Sequence, residues 1–181
     1  MNGRYWQGVV ALLAMLSLAS QLQAQGTRIF LGGGVGIPLG TYDDVVKMGW
    51  EGTAGVSFQP RSFPVGIQID GSYAQFSDET PLDIKSQLIY GTANALYRFG
   101  ISPGSRFQPY LVGGAGVYNS KATGDDALEG STTKSGINLG AGFDFGGGGT
   151  SLFLEGRWHN VFLEGDDLKF LPITLGIRFG G

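Results

Sequence analysis

Seven charged residues stand among apolar and small neighbours: Glu51, Asp70, Arg98, Asp144, Glu155, Arg157 and Arg178. Glu155 and Arg157 are two apart in LEGRWH (154–159), a spacing that puts both on one face of a strand. Carboxylates beside guanidinium groups suit two tasks. They can lock together as a salt-bridged network that satisfies buried charge, or exchange partners and so gate a narrow pore. A third chemistry would centre on His159, the single His, serving as general base or metal ligand. Its same-face neighbour is Arg157, Ser151 lies too far along the chain to pair with it, and there is no Cys to share a metal. The glycine strings GGGVG (32–36), GGAGV (113–117) and GGGG (146–149) lack the Gly-Lys-Ser/Thr of a phosphate loop and the helix of a dinucleotide fingerprint. GDDALEG (124–130) lacks the ligand spacing of a calcium loop. No catalytic residue, metal or cofactor is therefore assigned, and a net charge of −3 speaks against nucleic acid.

The elements that must position these charges follow from period-two alternation, the signature of strands. Eight runs show it: 28–37, 50–59, 65–76, 87–99, 107–118, 135–145, 151–162 and 170–179. Each has the length of a strand that crosses a bilayer at a tilt, roughly 9–11 residues or slightly more, whereas strands of soluble proteins average about 5–6. The faces separate by chemistry. Gly52, Ala54, Val56 and Phe58 oppose Glu51, Thr53, Ser57 and Gln59; Ile67, Ile69 and Tyr73 oppose Gln68, Asp70 and Ser72. Ile137, Leu139, Ala141, Phe143 and Phe145 oppose Asn138 and Asp144, and Leu152, Leu154 and Trp158 oppose Glu155, Arg157 and His159. LIYGTANALYRF and PYLVGGAGVY are apolar in both phases; in the former, Ile89, Ala93, Tyr97 and Phe99 are assigned outward and Asn94 and Arg98 inward.

All seven charges occupy the polar phase. One facing lipid at mid-membrane would cost on the order of 2–4 kcal/mol, so the apolar face is read as the outside. The other acids fall in the long links PLGTYDDVVKMG, SDETPLDIK, NSKATGDDALEGSTTK and LEGDDLKF, and none in the short links PRSFP, GISPGSR and GGGGT. Short turns at one end and long loops at the other follow the plan of a transmembrane barrel. Aromatics near strand ends fit the two membrane–water interfaces: Phe58, Tyr97, Phe99, Phe107, Phe143, Phe145 and Phe179 at the turn end, and Tyr73, Trp158 and Phe162 at the loop end. With 33 Gly in 181 residues against a usual ~7%, inward glycines such as Gly34, Gly36, Gly114, Gly116, Gly140 and Gly142 are expected to make room for large neighbours.

Residues 1–24 read as a cleaved secretory signal: Arg4, an apolar stretch from Val9 to Ala19 too short to span, and Leu22-Gln23-Ala24 before the cut, with Ala19 as an alternative site. Residues 25–181 then form one domain. The expected fold is all-β, an eight-stranded antiparallel up-and-down transmembrane β-barrel.

On the last strand, Thr174-Leu175-Gly176-Ile177-Arg178-Phe179, and on ALYRF (95–99), PYLVGGAGVY and LEGRWH, the chain resembles the small outer-membrane β-barrels of Gram-negative bacteria, the group of the OmpA transmembrane domain and OmpX. The resemblance spans the whole mature chain. It implies a bacterial outer-membrane location and contact with outer-membrane lipid and lipopolysaccharide. It also implies a monomeric barrel and insertion by the barrel-assembly machinery with periplasmic chaperones. Thr174, Gly176 and Phe179 match the family's C-terminal assembly signal, although Gly180 and Gly181 follow the aromatic here. The expected role is non-enzymatic: structural, adhesive or weakly pore-forming, with a lumen plugged by charge. Two alternatives stay open. A soluble lipocalin-like barrel would turn the apolar face inward around an apolar ligand, and a lipid-modifying outer-membrane enzyme would lose activity on His159→Ala.

Overall fold

The computed structural model describes residues 26–40, 47–60, 63–77, 85–99, 106–123, 131–147 and 149–180. The segment expected to be a secretory signal and most of the acidic residues of the long links lie outside the described residues. Eight strands follow one another: β1 (Thr27–Leu39), β2 (Gly49–Phe58), β3 (Val65–Ser77), β4 (Lys85–Arg98), β5 (Phe107–Thr123), β6 (Ser131–Gly147), β7 (Thr150–Val161) and β8 (Leu168–Gly180). Each pairs antiparallel with the next, and β1 pairs with β8 from Arg28↔Gly180 to Leu39↔Lys169, closing the barrel. Closure leaves no open edge, which hydrocarbon would not tolerate.

The alternation read from the sequence is the alternation of the walls. Outside stand Ile67, Val117, Leu139 and Leu175, each about 60% exposed, at 59%, 61%, 64% and 60%. Inside are Glu51, Asp70, Arg98, Asp144, Glu155, Arg157 and Arg178, all buried. In water this distribution would forgo the roughly 1.5–3 kcal/mol that each buried large apolar side chain contributes and add the penalty of burying charge. The outer solvent is therefore lipid, and the lipocalin-like arrangement, with its apolar face inward, is excluded. Phe58, Tyr97, Phe99, Phe107 and Phe145 are exposed on the turn-end girdle and Phe162 at the loop end. Trp50 joins the loop-end belt, its ring 5.2 Å from Tyr73.

Strand bounds agree with expectation to within about two residues except at the loop end of β5 and β6. There NSKAT belongs to β5 and STTK to β6, paired from Asn119↔Thr133 to Lys121↔Ser131, with Asn119 Nδ2 donating to Thr133 Oγ1 at 2.8 Å. This hairpin rises past the apolar belt, where neither face needs to be greasy, so alternation carries no signal. Nearby, Lys134 Nζ meets Glu164 Oε1 at 2.6 Å. The hydrogen bond from Lys134, then its charge, holds the exposed Glu164 carboxyl below its ordinary range. Its contribution is present above the unfolded carboxylate pKa and fades as pH falls through the lower folded value. For so exposed a pair, Glu164→Gln is expected to leave the thermal midpoint at neutral pH essentially unchanged in detergent.

Candidate functional site

The lumen is filled in three layers. At the turn end Arg178, from β8, is 1% exposed and lies among three rings, its Cζ 5.1 Å from the centroid of Phe30, 4.9 Å from Tyr110 and 4.6 Å from Phe153. Its Nε sits 3.0 Å from Asp144 Oδ1, its Nη2 donates to Tyr110 Oη at 2.8 Å, and its Nη1 donates to Gln68 Oε1 at 3.2 Å. The flat guanidinium uses faces and edges together, which a Lys ammonium could not do. Arg98 Nε and Arg28 Nη1 each approach Asp144 Oδ2 at 3.5 Å, and Arg98 Nη1 donates to Gln59.

In the middle layer Arg157, from β7, reaches across to β3. Its Nη1 lies 3.1 Å from Asp70 Oδ1, while its Nε and Nη2 donate to Glu155 Oε1 at 2.9 and 2.5 Å. Asp70 also accepts from Thr92 at 2.7 Å and from Asn94 and Gln68 at 3.1 and 3.2 Å. Glu155 Oε2 accepts from Tyr110 Oη at 2.9 Å and lies 3.6 Å from Arg178 Nη2, which ties the middle layer to the turn-end layer. Glu51 accepts from Tyr90 Oη and from Thr174 Oγ1, the latter at 3.0 Å. A cavity of about 10 Å³ lies here, lined by Glu51, Arg157, His159, Pro172 and Thr174 among others. A single water needs about that much. Pro172 faces the lumen where the β7–β8 ladder lapses between Gly156↔Ile173 and His159↔Phe170, since it has no N–H to donate.

The loop-end layer is aromatic. Tyr90 stacks on Tyr118 with centroids 5.2 Å apart, His159 stacks on Phe170 at 4.7 Å, and Phe76 packs edge-on against Phe170. His159 is 1% exposed and its Nδ1 shares a hydrogen bond with Tyr118 Oη at 2.8 Å. Among the described residues no group of acidic, His or Cys side chains could hold a metal ion.

The structure places Glu51, Asp70, Arg98, Asp144, Glu155, Arg157 and Arg178 among the buried residues of the barrel interior. The alternation could not reveal that Asp70 and Arg157 meet across the barrel, nor that Tyr90, Tyr110 and Arg28 join the network. The tyrosines share the inward phase of Arg98 and of Gly114, and that phase is the one signal that could have found them. Of the residues expected to form an assembly signal, Thr174 and Gly176 face inward and Phe179 outward, the last paired with Ile29.

A closed eight-stranded barrel with lipid-facing walls narrows the ancestry sharply. The model of the outer membrane protein β-barrel domain family matches residues 9–179. The chain belongs to that family. As an outer membrane β-barrel protein it resides in the bacterial outer membrane. Solved structures share the fold at low identity. Neisserial surface protein A is 12% identical with a TM-score of 0.63, covering 86% of this chain and 97% of its own. OprG from Pseudomonas aeruginosa is 12% identical with a TM-score of 0.56, covering 87% and 98%. Ail, the attachment invasion locus protein of Yersinia pestis, is 18% identical with a TM-score of 0.54, covering 86% and 99%. No curated protein matches the sequence.

Proposed function

We propose that this outer membrane β-barrel protein is a non-enzymatic, non-conducting envelope protein whose charged lumen closes the barrel, leaving the outer wall and loops to structural or adhesive work. One observation carries the reading: Arg157 is held between Asp70 on β3 and Glu155 on β7, so an ion-pair chain crosses the lumen. An eight-stranded barrel has an interior that side chains just fill, and the cavity beside Arg157 has room for about one water. The enclosure of His159 by Tyr90, Tyr118 and Phe170 supports the non-enzymatic reading, because no lipid substrate on the outer wall could reach its ring. The partners proposed are outer-membrane lipid and lipopolysaccharide around a monomer. Assembly machinery and chaperones would recognise the last strand through Thr174, Gly176 and Phe179.

Planar-bilayer recording tests the closed lumen. The unaltered protein should give no channel events, and Glu155→Ala and Arg157→Ala should give small, irregular openings. Steady conductance from the unaltered protein would replace the plug with a pore.

A further inference from the structure

The charges in the lumen are unevenly shared along its axis. Near the turn end three guanidinium groups, Arg28, Arg98 and Arg178, converge on a single carboxylate, Asp144. Only Arg178 approaches it at 3.0 Å; Arg28 and Arg98 share the oxygen Oδ2, each at 3.5 Å. Charge-assisted hydrogen bonds run about 2.7–2.9 Å, so both of these cations are loosely matched. Glu155 offers little more, because Arg157 engages it at 2.5 Å while Arg178 stands 3.6 Å away.

Arg98 is 7% exposed, and its buried Nη2 has no hydrogen-bond partner; Arg178 Nε and Asp144 Oδ1, though 3.0 Å apart as an ion pair, make no hydrogen bond either. A buried guanidinium donor left unmatched is costly, and proteins satisfy nearly all such groups. In the sequence the links at this end, PRSFP, GISPGSR and GGGGT, contain no acid, and Arg106 is the cation among their described residues. Arg28, with its side chain 30% exposed, stands at the rim between this interior and the outside.

We infer that the mouth of the lumen at the turn end, which in outer-membrane barrels faces the periplasm, is a binding site for a phosphate group, held by Arg28 and Arg98 with Arg178 behind them. Arg28, Arg98 and Arg178 face Asp144 and only a share of Glu155, whose other partner is Arg157, so this end of the lumen carries an excess of between one and two positive charges, which a phosphate near neutral pH, at about −1.5 to −2, offsets better than a carboxylate does. The guanidinium fork is suited to such oxygens. That charge belongs to free phosphate or a phosphate monoester; the phosphodiester of a phospholipid headgroup of the inner leaflet, which lies at the same level, carries a single charge and would offset less of the excess.

The test uses the folded protein in maltoside micelles, which contain no phosphate, with inorganic phosphate titrated at constant ionic strength against chloride. The ¹⁵Nε resonances of the arginines report the site. Saturable phosphate shifts at Arg28, Arg98 and Arg178, absent with chloride, are expected. Arg98→Gln and Arg28→Gln should each weaken binding at least about tenfold, the loss that accompanies one charge-assisted hydrogen bond, and Asp144→Asn should tighten it by removing the competing carboxylate. If phosphatidylglycerol added to the micelles displaces phosphate, the natural occupant is a headgroup; if it does not, the occupant is free phosphate. Heat-modifiable migration checks folding, and the rim variant Arg28→Gln keeps the test decisive should Arg98→Gln fail to insert. The inference is overturned if phosphate moves none of the three resonances more than chloride does. It is equally overturned if Arg28→Gln and Asp144→Asn both leave the affinity unchanged.

Discussion

Arg157→Ala should lower the unfolding free energy by about 3–5 kcal/mol, the range for removing one partner of a buried ion pair. Arg157 is the cation nearest to two buried carboxylates, touching Asp70 at 3.1 Å and Glu155 at 2.5 Å. Without it Asp70 keeps Thr92, Asn94 and Gln68, and Glu155 keeps Tyr110 and the more distant Arg178. Neutral donors offset only part of the desolvation of two charges. Urea unfolding in detergent, followed by tryptophan fluorescence, measures the loss. The triple variant Arg157→Met, Asp70→Asn, Glu155→Gln should recover most of it, because replacing a buried ionic group by neutral groups of similar volume is often near neutral. If Arg157→Ala cost less than about 1 kcal/mol, the pair would behave as a surface salt bridge does, and water would have to occupy the lumen. The closure of the lumen and the stability of the barrel therefore depend on the same side chain.

How far such a network is legible in sequence depends on what each residue is selected against. Lipid admits no charge, so the outward phase is apolar on every strand and the phase of Glu51, Asp70, Arg98, Asp144, Glu155, Arg157 and Arg178 could be read directly. Above the lipid that constraint ends, which is why the outer halves of the β5–β6 hairpin looked like loop. Inside the barrel the constraint is volume rather than polarity. Phe30, Phe76, Tyr90, Tyr110, Phe153 and Phe170 fill it beside the charges, and where both phases are apolar, alternation cannot sort wall from core. Period two also fixes which face a side chain takes but not its opposite number across the lumen. Asp70 and Arg157 are 87 positions apart, on strands that are not neighbours. Arg28 stands one residue into its strand, where phase has too few neighbours to be judged.

Volume is the constraint behind the second large effect. Gly176→Ala should destabilise the barrel by about 1–3 kcal/mol, toward the upper end of what overpacking costs. A Cβ at Gly176 would stand 2.3 Å from the Leu31 carbonyl oxygen and 2.4 Å from Cε1 of Phe153. The ring could shift, but the carbonyl belongs to the β1–β8 seam that closes the barrel. Other inward glycines face rings in the same way: Gly55 meets Phe30, Gly36 meets Phe76, Gly136 meets Tyr118 and Gly142 meets Tyr110. Abundant glycine and a ring-filled lumen are thus two sides of one packing solution. Gly176 also falls in the proposed assembly signal, and two measurements separate the roles. If packing governs, Gly176→Ala unfolds at lower urea in detergent after refolding from denaturant, where no assembly machinery is present. Phe153→Leu should then relieve part of the loss in the double variant, because it clears the contact at 2.4 Å while leaving the one to Leu31. If recognition governs, the purified variant matches the unaltered protein and only insertion in cells slows. Thr174 carries the same ambiguity through its 3.0 Å bond to Glu51; Phe179, on the outer wall, does not. A defect confined to cells is therefore expected for Phe179→Ala, and a defect that persists in detergent for Gly176→Ala.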